Sequence, residues 1–431
     1  MMTHPPHLPS ATPGPAIAEF LLDTGVCFLN HGSFGATLRA AAAAQSELRA
    51  LLEREPVHFM LRELPWRLER AREALGGLVG ASPDNLAFTH NATTGLAGLL
   101  GSMPLNAGDD VLMTDHAYGA CVNAVHAVAE RAGARVVVAR VPFPVPDSVL
   151  HATDDRHAED WLVETILAAL TPKTRWAVLD HVTSPTAIRL PAERLVPALR
   201  ERGIETLVDG AHGPGMVALS LDDLGAWAYV GNLHKWVCAP KGAAFIHVRP
   251  DSRARVRPAV LSHGALVSAP ARFHAEHDWT GTSDPTPWLS LPDTLLALAR
   301  LHSGGIAGLM ADNRAKTVLG RRRLLDALGI PAPCPATWLG AMATVPLPDT
   351  AAAAPMRRTD PLQDELWAHH RIEVPVIPWP FPEYGGSAGA VATGRTPRRW
   401  VRISMHAYNR LEQVDFLATA LLAGHPVDDQ R

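Results

Sequence analysis

Short apolar segments alternate with longer amphipathic segments along most of the chain. Runs rich in β-branched residues predict strands, and apolar residues spaced three or four positions apart predict helices. Several of these helical segments stop at a glycine, which is a common helix terminator. The pattern predicts strands at 85–89, 110–114, 134–139, 175–180, 204–208, 226–230 and 243–248, and helices at 36–55, 66–80, 93–100, 118–132, 158–170 and 191–202.

This alternation predicts an α/β fold in which helices cover both faces of a parallel or mixed sheet. A proline-containing stretch at 142–157 is expected to be a loop. Beyond about residue 270 the pattern changes to a polar loop, a long helix pair at 286–328, strands at 339–345 and 400–404, and helices at 360–371 and 410–423. We therefore expect a disordered or draped arm (1–16), an N-terminal segment (17–65), a large domain (66–285), and connecting helices with a small domain (286–431).

Ligands of such sheets bind at the carboxyl ends of the strands. Asp209 ends an apolar strand, and Lys235 follows twenty-six residues later, after the next strand. A lysine amine can form an imine with an aldehyde, and a carboxylate can keep a pyridine nitrogen protonated, as pyridoxal phosphate (PLP) chemistry requires. Singly, the Asp is typical of a turn or cap and the Lys of a surface charge. Together they predict a PLP site.

A third motif supports this prediction. A short strand runs into Asn91, Ala92 and Thr93, which open an apolar helix. Free amides at a helix start, together with a threonine hydroxyl, can bind a phosphate dianion. An ordinary Asn or Thr N-cap gives the same pattern, so this motif is informative only beside the other two.

Composition narrows the function classes. The chain has 431 residues, 47% of them apolar and 19% charged, and a formal net charge of -4. This balance does not favour binding to nucleic acid or to an anionic membrane. The four cysteines are widely spaced, residues 1–16 do not resemble a signal peptide, and no apolar run reaches the ~18 residues of a membrane span. We expect a cytoplasmic enzyme without a metal, since His263, His274 and His277 lack the spacing of a metal site.

The motifs together resemble the class V aminotransferase group of fold-type I PLP enzymes, and within it the isopenicillin N epimerase-like branch. The resemblance spans about residues 20–425 in order. It implies a mainly parallel seven-stranded sheet in a three-layer α/β/α large domain and a smaller α+β C-terminal domain. The matching stretches are FLNHGSFG (28–35), NAT (91–93), DHAYG (115–119), HVTSPT (181–186), VDGAH (208–212), HK (234–235), PKG (240–242), IEVPV (372–376) and VRIS (401–404).

The resemblance also implies roles for individual residues. Lys235 would be the Schiff-base lysine, Asp209 the partner of the pyridine nitrogen, and His116 would stack on the ring. Thr282 would reach the phosphate of the neighbouring subunit, which implies an obligate homodimer. The phosphate would be bound by Asn91, Ala92 and Thr93 with Asn232 or His234, and the phenolate oxygen would lie near Ser184 and His212.

On the substrate side, Arg402 would bind the α-carboxylate, with Asn30 and His31 lining the same pocket. Segments 56–66 and 379–398 would be the loops that select the side chain, and 381–398 could form a lid. The reaction would proceed at Cα through an external aldimine, with Lys235 as the base. Epimerisation needs a second acid on the opposite face, for which the candidates are Tyr118, Lys241 and His116.

We therefore expect a PLP-dependent amino-acid epimerase, with a carbon–sulfur lyase or a class V aminotransferase as alternatives. Persulfide relay is disfavoured because residues 379–401 contain no cysteine, which desulfurases of this superfamily carry before the carboxylate arginine. A DNA-binding regulator is disfavoured because no basic helix-turn-helix pattern precedes the fold.

Overall fold

The computed structural model describes residues 11–152, 154–347, 359–380 and 397–424. The strands are β1 (Cys27–Phe28), β2 (Leu86–Thr89), β3 (Asp110–Thr114), β4 (Arg135–Ala139), β5 (Thr174–Asp180), β6 (Glu205–Gly210), β7 (Ala228–Asn232), β8 (Ala244–Val248), β9 (Met342–Pro346), β10 (Ile372–Glu373), β11 (Val376–Trp379) and β12 (Arg398–Ser404).

The helices begin with α1 (His31–Phe34), α2 (Arg39–Arg54), α3 (Pro56–His58), α4 (Leu64–Val79), α5 (Ala92–Gly101), α6 (Gly119–Ala132), α7 (Asp147–Leu150), α8 (Asp155–Leu167), α9 (Ala192–Arg200) and α10 (Leu221–Leu224). They continue with α11 (Arg272–Asp278), α12 (Thr286–Leu289), α13 (Leu291–Arg300), α14 (Gly305–Leu328), α15 (Pro361–His370) and α16 (Leu411–Gly424).

Within the described residues the large sheet has seven strands in the order β2-β8-β7-β6-β5-β3-β4. The strands from β7 to β4 are parallel, and β8 is antiparallel to both of its neighbours. Neighbouring residues on one strand pack on opposite faces: Val208 lies in the cluster that includes α4 and α13, and Leu207 in the cluster that includes α5 and α6. Burial of both faces explains the continuous apolar runs. The predicted fold class is confirmed.

A smaller antiparallel sheet, ordered β11-β12-β9, lies in the C-terminal part of the chain. The N-terminal segment joins that part, because β1 pairs in parallel with β10 through Cys27 and Ile372. Helices α14 and α16 pack against each other, and α14 also covers β9. This is the smaller unit that the resemblance implies. The domain boundaries after residues 65 and 285 remain predictions.

Most predicted elements are present with shifts of a few residues at their ends. Gly80 and Gly133 terminate α4 and α6 in the left-handed conformation, with φ of 62° and 68°. Two predictions were wrong. The expected loop at 142–157 contains α7 and the start of α8, and the expected loop at 56–66 is helical. Pro56 and Pro65 explain the second error, because proline fits the first turn of a helix as well as it fits a loop.

Parts of two predicted segments lie outside the described residues, namely 1–10 of the arm and 381–396 of the proposed lid, and so does the Ala-rich run at 351–354. The remainder of the arm contacts the fold, since the Gly14 amide donates to the Tyr408 carbonyl at 2.7 Å. Among the described residues no single helix is long and apolar enough to cross a membrane, although the bent pair α13 and α14 meets the length and composition requirement jointly.

Candidate active site

A cavity of about 350 Å³ lies at the carboxyl ends of β5, β6 and β7. This is the edge at which the sheet topology predicts ligand binding, and the volume suits a small molecule. Its walls come from the sheet, from the start of α5, from the start of α6 and the residue before it, from α1 and from β12. The lining residues are Gly32, Ser33, Phe34, Asn91, Ala92, Thr93, Tyr118, Cys121, Asp180, Val182, Ser184, Asp209, Ala211, His212, Asn232, His234, Lys235 and Arg402.

Lys235 lies in the turn between β7 and β8, and its Nζ is 3.2 Å from His212 Nε2. The Trp236 indole N–H donates to His212 Nδ1 at 3.3 Å, so the ring proton of neutral His212 is on Nε2 and points toward the amine. Burial, followed by the charge of Arg402, lowers the pKa of Lys235 to about 8. The amine is therefore available as a nucleophile and base close to neutral pH.

Asp209 lies on β6 with only 4% of its surface exposed. Its Oδ1 accepts the Ala211 amide at 3.0 Å, and its Oδ2 accepts the Cys121 thiol at 2.8 Å. The carboxylate lines the same cavity as Lys235. One site therefore contains an amine and a buried carboxylate, as the spacing of the two motifs predicts.

The start of α5 forms another wall of the cavity. Asn91 caps this helix by accepting the Thr94 amide at 2.8 Å, and the Asn232 side chain accepts the Ala92 amide at 2.8 Å. Gly95 lets the helix approach the sheet, since a Cβ there would lie 2.9 Å from Val230 Cγ2. The two asparagines thus hold the helix start in place. The positive end of its dipole and the Thr93 hydroxyl are available to an anion.

Arg402 enters the cavity from β12 and is 3% exposed. Its Nη1 donates to the Ser184 carbonyl at 2.7 Å and to Ser184 Oγ at 3.1 Å, and its Nη2 donates to Ser33 Oγ at 3.1 Å. Its buried Nε has no hydrogen-bond partner among the described residues. Burial lowers the pKa of Arg402 to about 10, so the group stays charged at neutral pH. An unpartnered buried donor beside Nη2 suits a bidentate carboxylate.

The family model described as "Aminotransferase class-V" matches residues 36–279. The chain belongs to the class V aminotransferase family. The recognition made from the motifs is confirmed, and so is the expectation that the chain is an enzyme of this family, whose cofactor is PLP.

Two groups of relatives resemble this class V chain to a similar degree. It is 32% identical over 422 residues to isopenicillin N epimerase of Streptomyces clavuligerus, covering 94% of this chain and 96% of that protein. It is 31% identical over 410 residues to putative L-cysteine desulfhydrase 1 of Oryza sativa subsp. japonica, covering 93% and 83%. The relatives therefore include both an isomerase and a lyase.

Solved structures agree on the fold. A C-DES mutant with glycine covalently linked to its PLP cofactor has a TM-score of 0.76 at 18% identity, covering 94% of this chain and 99% of that one. The cystine C-S lyase C-DES with its product cysteine persulfide gives 0.72 at 19%, covering 94% and 98%. At these identities the comparison supports the architecture alone.

The residues of the cavity fit the family's cofactor. Lys235 provides the amine, Asp209 provides a carboxylate, and the start of α5 with Thr93 provides an anion site. All of these groups line the same cavity. Arg402 lines the same cavity, and its buried Nε has no hydrogen-bond partner among the described residues. Most predicted site residues line this cavity: Asn91, Ala92, Thr93, Tyr118, Ser184, Asp209, His212, Asn232, His234, Lys235 and Arg402.

His116 is placed differently from the prediction. It is completely buried and does not line the cavity. Its Nδ1 lies 2.6 Å from Thr186 Oγ1, its Nε2 lies 2.9 Å from the Val141 carbonyl, and the Trp379 ring packs against it at 4.6 Å. Stacking of His116 on the cofactor ring stays a prediction that this arrangement does not support. The aromatic side chain of this segment that reaches the cavity is Tyr118.

Asn30 and His31 also lie behind the cavity wall rather than in it. Asn30 Oδ1 accepts the Ser33 hydroxyl at 2.5 Å, and Ser33 in turn accepts Arg402, so Asn30 acts on the site indirectly. His31 Nε2 lies 3.0 Å from the Lys235 carbonyl, and its Nδ1 lies 2.8 Å from Tyr408. Direct substrate contact by either residue therefore remains a prediction.

His31 also belongs to a buried group with Cys238 and His406, whose possible metal-ligand atoms lie within 4.8 Å of one another. The His31 and His406 rings are stacked at 4.3 Å with an interplanar angle of 17°. A metal lies in the plane of each imidazole that binds it, so two nearly parallel stacked rings cannot both ligate one ion without rotating. His31 is better explained as packing beneath the Lys235 turn.

Thr282 is exposed and does not line the cavity of its own chain. The predicted contact to a neighbouring subunit therefore remains a prediction. Sequence reasoning missed seven lining residues: Gly32, Ser33, Phe34, Cys121, Asp180, Val182 and Ala211. Asp180 could have been found, because it ends the predicted strand 175–180 at the same edge as Asp209. Cys121 carries no comparable signal, since it lies inside a helix.

Proposed function

We propose that this class V enzyme is a PLP-dependent epimerase acting at Cα of an amino-acid substrate. The observation that carries the proposal is the placement of Arg402, which lines the cavity that also contains the Lys235 amine and whose buried Nε has no hydrogen-bond partner among the described residues. A substrate carboxylate on Arg402 would fix the amino acid beside that amine. When bound, the cofactor supplies an aldehyde for the amine and a ring that accepts electrons from Cα.

Lys235 is the proposed base on one face of the substrate. Burial and, after it, the charge of Arg402 favour the neutral amine, whereas Asp209 favours the charged form. The net effect is a pKa of about 8, well below the ordinary lysine value of 10.5. A base with this pKa retains driving force for proton abstraction and is substantially deprotonated in mildly alkaline solution.

The rate of Cα–H exchange is expected to depend on pH accordingly. Because the folded-state pKa of Lys235 is lowered to about 8, the neutral amine is the minor form below that pH and the major form above it. The exchange rate of the cofactor-loaded protein should rise about tenfold per pH unit below pH ~8 and level off above it. Hydrogen–deuterium exchange followed by NMR measures this profile. A rate that is flat between pH 6 and pH 8 would contradict the assignment.

Tyr118 is the proposed acid for the opposite face. It lines the cavity with 46% of its surface exposed, and burial followed by the nearby Cys121 and Asp209 raises the pKa of its phenol. The hydroxyl therefore stays protonated at neutral pH and can donate a proton. Lys241 is less suited to this role, since its Nζ donates to the Gly35 carbonyl at 3.1 Å and it does not line the cavity.

Replacing Tyr118 with phenylalanine separates inversion from exchange. The Tyr118→Phe protein is expected to keep Cα–H exchange with retention, because Lys235 is intact, but to lose inversion roughly 100-fold, a typical contribution of one general acid. Chiral chromatography of the amino acid gives the inversion rate, and deuterium incorporation gives the exchange rate. Equal loss of both rates, or loss of neither, would argue against Tyr118 as the second acid.

The proposed function is tested most directly by incubating the loaded protein with a panel of amino acids in deuterated water. Cα exchange with inversion supports the epimerase. Pyruvate with ammonia identifies a lyase instead, and conversion of the cofactor to its amine form identifies an aminotransferase. An absence of Cα exchange across all members would refute the proposal.

A carbon–sulfur lyase is the second candidate. It is favoured by the 31% identity to the rice protein named as a putative L-cysteine desulfhydrase, which is close to the identity with the epimerase. A lyase needs Arg402, Lys235 and a substrate with a β leaving group, and the Tyr118 hydroxyl could donate a proton to that leaving group. It does not need inversion at Cα, so the Tyr118→Phe experiment also distinguishes the two candidates.

We further propose that the enzyme is a homodimer with phosphate contact from Thr282 of the neighbouring subunit. Support comes from the exposure of Thr282 and from the exposed apolar side chains of the preceding segment, among them Leu261 and Leu266. Such exposed apolar groups are typical of subunit interfaces. A cytoplasmic location remains a prediction from the sequence.

A further inference from the structure

The cavity is lined by a second buried carboxyl group that the proposed chemistry does not use. Asp180 ends β5 and is the register partner of Asp209 on the adjacent parallel strand. The two residues are 5% and 4% exposed, and both line the cavity. Neither forms an ion pair with an arginine or lysine among the described residues. Two neighbouring acids therefore share one enclosed site, in which Lys235 is a nearby cation.

Such a pair does not ionise fully. Two carboxylates in one buried site repel each other, so one of them keeps its proton. Burial, followed by the charge of Asp209, raises the pKa of Asp180 well above its ordinary range. Asp209 accepts two hydrogen bonds, from the Ala211 amide at 3.0 Å and from the Cys121 thiol at 2.8 Å. Among the described residues the thiol donates to Asp209 and not to Asp180, and this contact distinguishes the two acids.

The first turn of α6 links these groups. Tyr118, which precedes this helix without a side-chain cap, lines the same cavity as Asp180. Three residues further on, Cys121 reaches Asp209 from the same turn. Burial raises the pKa of the Cys121 thiol well above its ordinary value, so the thiol keeps the proton that it donates. Cys121 therefore fixes the Asp209 carboxylate to the start of α6.

We propose that Asp180 holds a proton, which leaves Asp209 as the ionised carboxylate of the site, and that the Cys121 thiol positions this carboxylate. The inference rests on the proposed pairing of Asp209 with the cofactor nitrogen. Cys121 is a positioning residue, since it acts through Asp209. A neutral Asp180 also serves Lys235, because an ionised carboxylate there would favour the charged form of that amine.

Substitutions that mimic the protonated acid test the first half of the proposal. In the PLP-loaded full-length protein, Asp180→Asn should change the cofactor dissociation constant by less than about threefold, since an amide resembles a neutral carboxyl group. The midpoint pH of the imine absorbance band should shift by less than ~0.5 unit. Asp209→Asn should reduce Cα–H exchange roughly 100-fold, because it removes the ionic partner. The infrared difference spectrum of wild type minus Asp180→Asn should contain the C=O stretch of a protonated carboxyl group.

The thiol is tested by a matched pair. Cys121→Ala should weaken PLP binding and shift the midpoint of the imine band, with a loss of roughly tenfold, as expected for one hydrogen bond to a charged group. Cys121→Ser should restore both, because a hydroxyl also donates to Asp209. A merely structural role would lower the melting temperature without moving the midpoint.

Three results would overturn the proposal. If Asp180→Asn impairs exchange as strongly as Asp209→Asn, residue 180 must carry a negative charge. If the infrared difference lacks a protonated carboxyl band, the proton is absent. If Cys121→Ala behaves as wild type in both readouts, the thiol does not position Asp209. Full exchange by Asp209→Asn would instead refute the pairing with the cofactor nitrogen, and hence the proposed function rather than the protonation of Asp180.

Discussion

The Lys235→Ala protein is expected to show no imine absorbance with PLP and to lose Cα–H exchange by roughly 1,000-fold or more, because the same amine is the imine partner and the base. The structure supports both roles, since burial and Arg402 lower the pKa of this lysine to about 8. Absorbance spectra of the loaded protein measure the first effect. Borohydride reduction followed by peptide mass mapping should place the reduced cofactor on residue 235 in wild type only.

Lys241→Ala is the matched control. This lysine lies six positions further along the same turn, and its Nζ donates to the Gly35 carbonyl at 3.1 Å and to Thr37 Oγ1 at 3.3 Å. Because Lys241 does not line the cavity, its removal should leave the imine band in place. An imine band that persists in Lys235→Ala and disappears in Lys241→Ala would reassign the attachment site.

Much of the fold could be predicted because the sheet is buried on both faces. Strands such as β6 and β7 are fully or almost fully buried along their length, which requires uninterrupted apolar runs that are visible in the sequence. The carboxyl-edge rule then predicts that Thr93, His116, Ser184, Asp209 and Lys235 lie at one side of the sheet, and all of these except His116 line the cavity there. These inferences depend on periodicity and topology, which a single sequence contains.

The rest of the site could not be predicted, because it depends on the direction in which individual side chains point. His116 and Tyr118 are two positions apart, yet Tyr118 reaches the cavity while His116 bonds to Thr186 and Val141 behind it. Likewise, the contact between Cys121 and Asp209 joins residues 88 positions apart. Such contacts follow from tertiary packing, and no local pattern specifies them. The proline-started helices at 56–66 were missed for a related reason, since proline serves loops and first turns alike.

Arg402→Ala is expected to produce the second large effect. Loss of the guanidinium should lower kcat/KM for an amino acid roughly 150-fold. This factor corresponds to about 3 kcal/mol, a typical cost of truncating one side of a buried hydrogen-bonded charge pair. The physical reason is that Nε and Nη2 can meet both oxygens of a carboxylate, while Ser184 holds Nη1. The matched amine without a carboxylate should change much less, so kinetics with both compounds isolate the carboxylate contact.

Two further variants sharpen this prediction. Arg402→Lys keeps a positive charge but loses the planar pair of donors, so it should recover only part of the activity toward the amino acid. Arg399→Ala removes an arginine from the same strand that does not line the cavity. The Nη2 of Arg399 donates to Asp360 Oδ1 at a distance of 2.9 Å. That control should retain the preference for the amino acid over the amine. If Arg402→Ala lowered the rates for amino acid and amine equally, its effect would lie in the architecture of the site, and the substrate carboxylate would have to bind elsewhere.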